Sequence, residues 1–249
     1  MLRGFWAVYR RELWSIWVTP LAWVLLVVFL LLQGASFSLV VTHFASFADL
    51  SVDQGPIQVY LSSAFVHMSL LIICPALSMR SFADERRTGT IEPLLTAPTT
   101  PLAIVAAKYG CMLTTFAMIW LPTLLYAVIL RNTGVVVWPV LLAGYLGVLL
   151  MGAMYLAVGL LMSALTSSQL VAALLTTLTV FGLFIVGLGE QVFDAGFARD
   201  LCAHLSLLAQ LDEFTRGIVD LRRLIFDVSF TWLCLLMATR TVESWRWAS

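Results

Sequence analysis

From Leu21 to Val41 the chain runs LAWVLLVVFLLLQGASFSLVV without one ionisable side chain. Backbone in hydrocarbon must pair its own N–H and C=O groups, and about 20 apolar residues coiled as a helix cross a ~30 Å slab. Five further stretches repeat the pattern, at 58–79, 103–130, 138–163, 170–189 and 224–240. Only 11% of the residues are charged and 61% are hydrophobic. A soluble domain carries about 25% charged residues, so lipid must solvate the outside. The expected fold is an all-α polytopic membrane protein with six transmembrane helices, forming a single transmembrane domain over residues 1–249.

The segments between the spans have their own logic. Residues 3–18 place Phe5, Trp6, Tyr9, Leu13, Ile16 and Trp17 near one helical face, with Arg3, Arg10, Arg11 and Glu12 largely elsewhere. That pattern predicts an N-terminal amphipathic helix lying in the membrane interface. Pro20 then suits the first turn of the next helix, where a missing N–H costs nothing. The apolar run after it is too long for the h-region of a signal peptide and lacks a small-residue cleavage site, so it is expected as a retained span. Pro122 predicts a tilt or kink in the third span. Gly144, Gly147, Gly152 and Gly159 predict close helix contacts in the fourth.

Residues 190–223 hold charged residues and two apolar patches too short to span. The run from Leu205 to Leu211, followed by Asp212, Glu213 and Phe214, predicts an extracytoplasmic re-entrant helix with its turn at Thr215–Ile218. Irregular backbone at such a tip must be buried in protein or face water.

Six spans put the N-terminus, the 80–101 segment, the 164–169 link and the C-terminus on one side. That side holds Arg3, Arg10, Arg11, Arg80, Arg86, Arg87, Lys108, Arg240 and Arg246, against Arg131, Arg199, Arg216, Arg222 and Arg223 on the other. The basic excess predicts that both termini are cytoplasmic. A net charge of zero gives no case for nucleic acid as a partner.

Chemistry is sparse. Cys74, Cys111, Cys202 and Cys234 form no C-x-x-C pair, and His43, His67 and His204 do not cluster, so no metal site is expected. Lys108, in VAAKYG, is the single lysine and lies in no G-x-x-x-x-G-K-[ST] loop. It is expected as an interfacial anchor with its ammonium toward water. No cofactor is expected on this chain, and any ATP hydrolysis must belong to another subunit. An intramembrane enzyme would need an activated nucleophile. Ser63 and His67 are i,i+4 partners in the second span, with Ser62 and Ser69 nearby, but no strained turn or oxyanion site accompanies them. An ion-coupled carrier usually keeps acids within its spans. Here Glu190 and Asp227 stand at span edges on the outer side.

The most informative stretch is 80–101. Its mixed charges Asp84, Glu85, Arg86 and Arg87 lead into Thr88, Gly89 and Thr90. Gly89 permits a backbone turn closed to other residues. Thr90 is placed to cap a second short helix holding Glu92, Pro93, Leu94 and Leu95. The run MRSFADERRTGTIEPLLTAPTTPLAIVAAKY, Met79–Tyr109, resembles the loop after the second span in permeases of ABC-2 type exporters. It is most similar to their gliding-motility-type (GldF-like) branch.

That resemblance implies a type V exporter-like permease bundle in the cell inner membrane. It makes 80–101 a cytoplasmic coupling segment acting through Glu85, Arg86, Arg87, Gly89, Thr90 and Glu92. It makes 190–223 an outer gate carrying Phe214, Arg216 and Gly217. The implied partners are an ABC nucleotide-binding ATPase subunit holding ATP-Mg, a second permease subunit in a homo- or heterodimer, and a periplasmic accessory subunit. The implied path runs between the first, second and fifth spans. A mechanotransmitting subunit that acts on a periplasmic partner is the alternative.

Overall fold

The computed structural model describes residues 2–46, 55–90, 100–131, 138–192, 196, 202 and 206–248. The secondary structure there is helical: α1 (Leu2–Val18), α2 (Pro20–Ser46), α3 (Pro56–Leu61), α4 (Ala64–Ser78), α5 (Ala83–Thr88), α6 (Pro101–Trp120), a 3-10 turn (Leu121–Thr123), α7 (Leu124–Arg131), α8 (Trp138–Leu165), α9 (Gln169–Val192), α10 (Leu207–Thr215) and α11 (Leu221–Ala248).

Five helical stretches are long and apolar enough to cross a membrane: Pro20–Ser46, Ala64–Thr88, Pro101–Arg131, Trp138–Leu165 and Gln169–Gly189. The expected sixth span corresponds to α11, a long helix that is not among them. It carries Arg222, Arg223 and Asp227 in its first two turns and Arg240 further on.

α8 is the hub. It packs against α11, α9, α10, α4 and α6, and most of its central window is buried. The glycines explain how one helix holds so many neighbours. A Cβ at Gly147 would stand 2.8 Å from the ring of Phe214, and one at Gly152 would overlap Phe116. At Gly159 it would overlap Ser78. The expectation of close contacts along this helix is met, since absent side chains let the facing helices approach.

α2 and α9 are peripheral. α2 buries one stripe, Ala22, Leu25, Phe29, Gln33, Ser36 and Val40, at the i, i+3, i+7 spacing of a single helical face. The opposite side exposes Trp23, Val27 and Leu31. α9 exposes Leu170, Leu174, Leu178, Phe181 and Ile185 along another such stripe.

Two spans depart from continuous helices. The stretch at 58–79 breaks at Ser62–Ser63. Ser62 Oγ donates to Gln58 O at 2.9 Å, and Ser63 is extended (φ −64°, ψ 150°) before α4 begins. Adjacent serines offer the backbone alternative partners, which is why such residues favour helix ends. The third span is interrupted at Pro122, as expected, by the 3-10 turn between α6 and α7. Thr123 Oγ1 steadies that turn, donating to Trp120 O at 2.7 Å and meeting Tyr145 OH at 2.8 Å.

α10 is a short helix capped by Ser206, whose Oγ accepts from Ala209 N at 3.3 Å. It ends at Arg216, and Gly217 follows with φ 80°. Phe214 is fully buried against α8, whereas Arg216 is exposed and pairs with Asp212 at 2.6 Å. Leu205, the expected start of this helix, lies outside the described residues.

Candidate functional site

The charged cluster centres on α5. Its six residues place Asp84 and Glu85 in the first turn and Arg86 and Arg87 in the last, the arrangement the helix dipole favours. So short a helix is not stable alone, and its cap comes from another helix. Ser163 Oγ, on α8, accepts from Phe82 N at 3.0 Å and Ala83 N at 3.1 Å. The other end stops at Gly89, whose φ of 72° fits the left-handed C-terminal cap that glycine supplies.

Glu85 turns inward. Its carboxylate lies 3.0 Å from Lys108 Nζ of α6, and the same ammonium lies 3.2 Å from Glu12 of α1 and donates to Ser81 O at 2.8 Å. The Arg11 guanidinium closes the cluster, 3.3 Å from Glu85 and 3.5 Å from Glu12. Lys108 is 1% exposed and sits over the Phe82 ring. The expectation of a lysine reaching to water is therefore corrected. α1 lies along α6, fixed in part by Tyr9 OH donating to Thr114 Oγ1 at 3.1 Å, and so brings Glu12 over Lys108. The turn before α5 brings Glu85 from the other side. Two carboxylates make the interior tolerable for the ammonium.

Glu85 stands beyond the apolar part of its span. Its Oε2 has no hydrogen-bond partner among the described residues. A cavity of about 260 Å³ adjoins it, lined by Arg11, Glu12, Arg80, Asp84, Glu85 and Lys108 among others.

Arg86 is also committed within the chain. It donates to Ala164 O at 3.2 Å and lies 4.9 Å over the Trp245 ring. Asp84 accepts from Gln169, at the start of α9, and pairs with Arg87 at 3.2 Å. Glu85 and Arg86 face inward, and Arg87, with 65% of its side chain exposed, faces out. Thr90 is exposed and meets Thr88 Oγ1 at 2.9 Å. Glu92 and the expected second short helix lie outside the described residues.

A second polar group sits within the apolar layer. Gln33 of α2 donates to Ser69 Oγ at 2.9 Å and accepts from Tyr60 OH at 2.8 Å. Ser36 Oγ meets Ser63 Oγ at 3.1 Å, while the His67 ring meets the Ser63 carbonyl at 3.2 Å. The serine hydroxyl and the imidazole therefore do not engage each other. Asp227, in the second turn of α11, is buried, 1% exposed. Among the described residues, no three His, Cys, Asp or Glu side chains gather to hold a metal ion.

Sequence reasoning missed Glu12, Ser163 and Gln169. Their partners are distant along the chain, so no local pattern marks them. Lys108 carried a signal, being the one lysine, but its surroundings come from tertiary structure.

A family profile described as ABC-2 family transporter protein matches residues 43–195. No curated protein matches the chain.

Proposed function

We propose, from the premise that this chain belongs to the ABC-2 transporter family, that it is the permease subunit of an ATP-driven exporter and takes its work from a separate nucleotide-binding subunit. Membership makes it a transport membrane subunit that partners an ABC ATPase and is not itself catalytic. The finer reading concerns how force enters. α5 and the segment after it are the surface on which the ATPase acts, and Arg87 is the charge offered to it.

The observation that carries this reading is the clamping of Lys108 between Glu85 and Glu12. A displaced α5 would draw α6 and α1 with it through these ion pairs, and α8 and α9 through Ser163, Ala164 and Gln169. ATP would favour one arrangement of the bundle by differential contacts at α5, as any ligand-driven shift requires. The exposed stripes of α2 and α9 are the surfaces a second permease copy or a similar chain would cover.

In this reading α11 is the sixth span, both termini are cytoplasmic, α1 lies in the interface of the cell inner membrane, and α10 with Phe214, Arg216 and Gly217 shapes the outer gate. The resemblance of Met79–Tyr109 to the GldF-like branch points the same way and allows a periplasmic accessory subunit. Co-purification of this chain with an ABC ATPase subunit, with and without Arg87→Glu, tests the proposal. Retained association and unchanged ATPase stimulation would overturn the role given to α5.

A further inference from the structure

α11 carries a buried acid that the coupling mechanism does not use. Asp227 is 1% exposed, and one of its carboxylate oxygens accepts from Gln210 Nε2 of α10. The other, Oδ1, has no hydrogen-bond partner among the described residues. The nearby Arg223 hydrogen-bonds elsewhere, pairing with Glu213 at 2.8 Å and donating to Ser206 O at 3.0 Å, so its charge reaches Asp227 only through space. A buried carboxylate with an unanswered oxygen is costly, and such a group calls for a partner.

Asp227 lines a cavity of about 410 Å³ between α6, α8 and α11, together with Tyr109, Leu150, Ala153, Trp232 and Leu235. Apart from Asp227 the named walls are mainly apolar or aromatic. Asp227 and Leu235 are eight residues apart on one helix, a separation of ~12 Å at the α-helical rise. The groove therefore has an acidic end and an oily length. Tyr109 OH is engaged with Ala153 O at 3.2 Å, and Trp232 remains 60% exposed beside the groove.

We infer that the α6–α8–α11 groove binds a membrane-dissolved cationic amphiphile, its ammonium against Asp227 and its alkyl chain along Tyr109, Trp232 and Leu235. Charge complementarity selects this occupant. A neutral alcohol could donate to Oδ1 but would leave the buried charge unbalanced, and an anionic chain would meet a like charge. The site needs neither ATP nor the role proposed for α5, so the two readings stand or fall separately.

The test uses the full chain, with its co-purifying subunits, in phosphatidylcholine nanodiscs, and tritiated dodecyltrimethylammonium as the probe. Saturable binding is expected, displaced by dodecylamine and not by dodecanol or dodecyl phosphate. Asp227→Asn retains an acceptor for Gln210 and removes the charge, so binding should weaken about tenfold or more. Ser229→Trp, on the exposed rim, should obstruct the groove and abolish binding without touching the acid. If Asp227→Asn loses its native melting transition, Ser229→Trp decides the matter. Absence of saturable binding overturns the inference, as when another copy of the chain covers this face. Displacement by dodecanol as effective as by the amine also overturns it, as does wild-type affinity in a folded Asp227→Asn or Ser229→Trp.

Discussion

Lys108 and Glu85 meet at 3.0 Å across two helices, and Glu12 approaches the same ammonium from a third at 3.2 Å. One side chain thereby joins the N-terminal helix, the short charged helix and a spanning helix.

Lys108→Met should leave Glu85 and Glu12 facing each other with the central cation gone. The expected loss is ~3–5 kcal/mol, the usual cost of stranding buried charge. Lys108→Arg should retain most of the stability. Adding Glu85→Gln to Lys108→Met should recover part of the loss, because one stranded carboxylate is then neutral. Thermal unfolding in nanodiscs reads all three variants.

Arg87→Glu should separate stability from function. The Arg87–Asp84 pair is exposed, and such pairs contribute about 0–1 kcal/mol. The melting temperature should barely move while ATPase association falls. Arg86→Ala should destabilise the chain itself, by ~1–3 kcal/mol, since it leaves Ala164 O without its donor and uncovers the Trp245 ring. Melting curves beside a pull-down distinguish the two arginines.

Gly152→Ala should cost ~1–3 kcal/mol through overpacking, because the added methyl meets the Phe116 ring. Phe116→Leu in the same chain should return part of that stability. A double-mutant cycle in thermal unfolding measures the coupling.

Gln33→Leu should strand Tyr60 OH and remove a donor from Ser69, for a loss of ~1–3 kcal/mol. Combining it with Tyr60→Phe should be milder than Gln33→Leu alone, since the stranded hydroxyl is gone. Chemical denaturation of the two variants compares them directly.

Local patterns announced much of this bundle. Runs of apolar residues gave the helices, Pro122 gave the interruption of the third span, and Gly89 gave the left-handed end of α5. The break at Ser62–Ser63 was harder to foresee, because two hydroxyls in an apolar run are compatible with either a helix or its end. The charged cluster was legible only as a charged segment. The orientation of Glu85, Arg86 and Arg87 follows from Ser163, Lys108 and Trp245, which approach from distant parts of the chain. Lys108 itself was expected to reach water because a lysine at a span boundary ordinarily does so. Tertiary contacts with two acids reversed that balance.

An 18-residue stretch of α8 has a mean hydropathy of 2.2, yet 72% of it is buried by its neighbours. Its oiliness therefore serves its biogenesis more than its finished surroundings. Membrane insertion precedes helix association, so α8 must partition into lipid while α9 and α11 are still being synthesised. A charged replacement deep in α8 would thus weaken insertion, by about 2.5–3.5 kcal/mol at a helix centre, as well as the later packing.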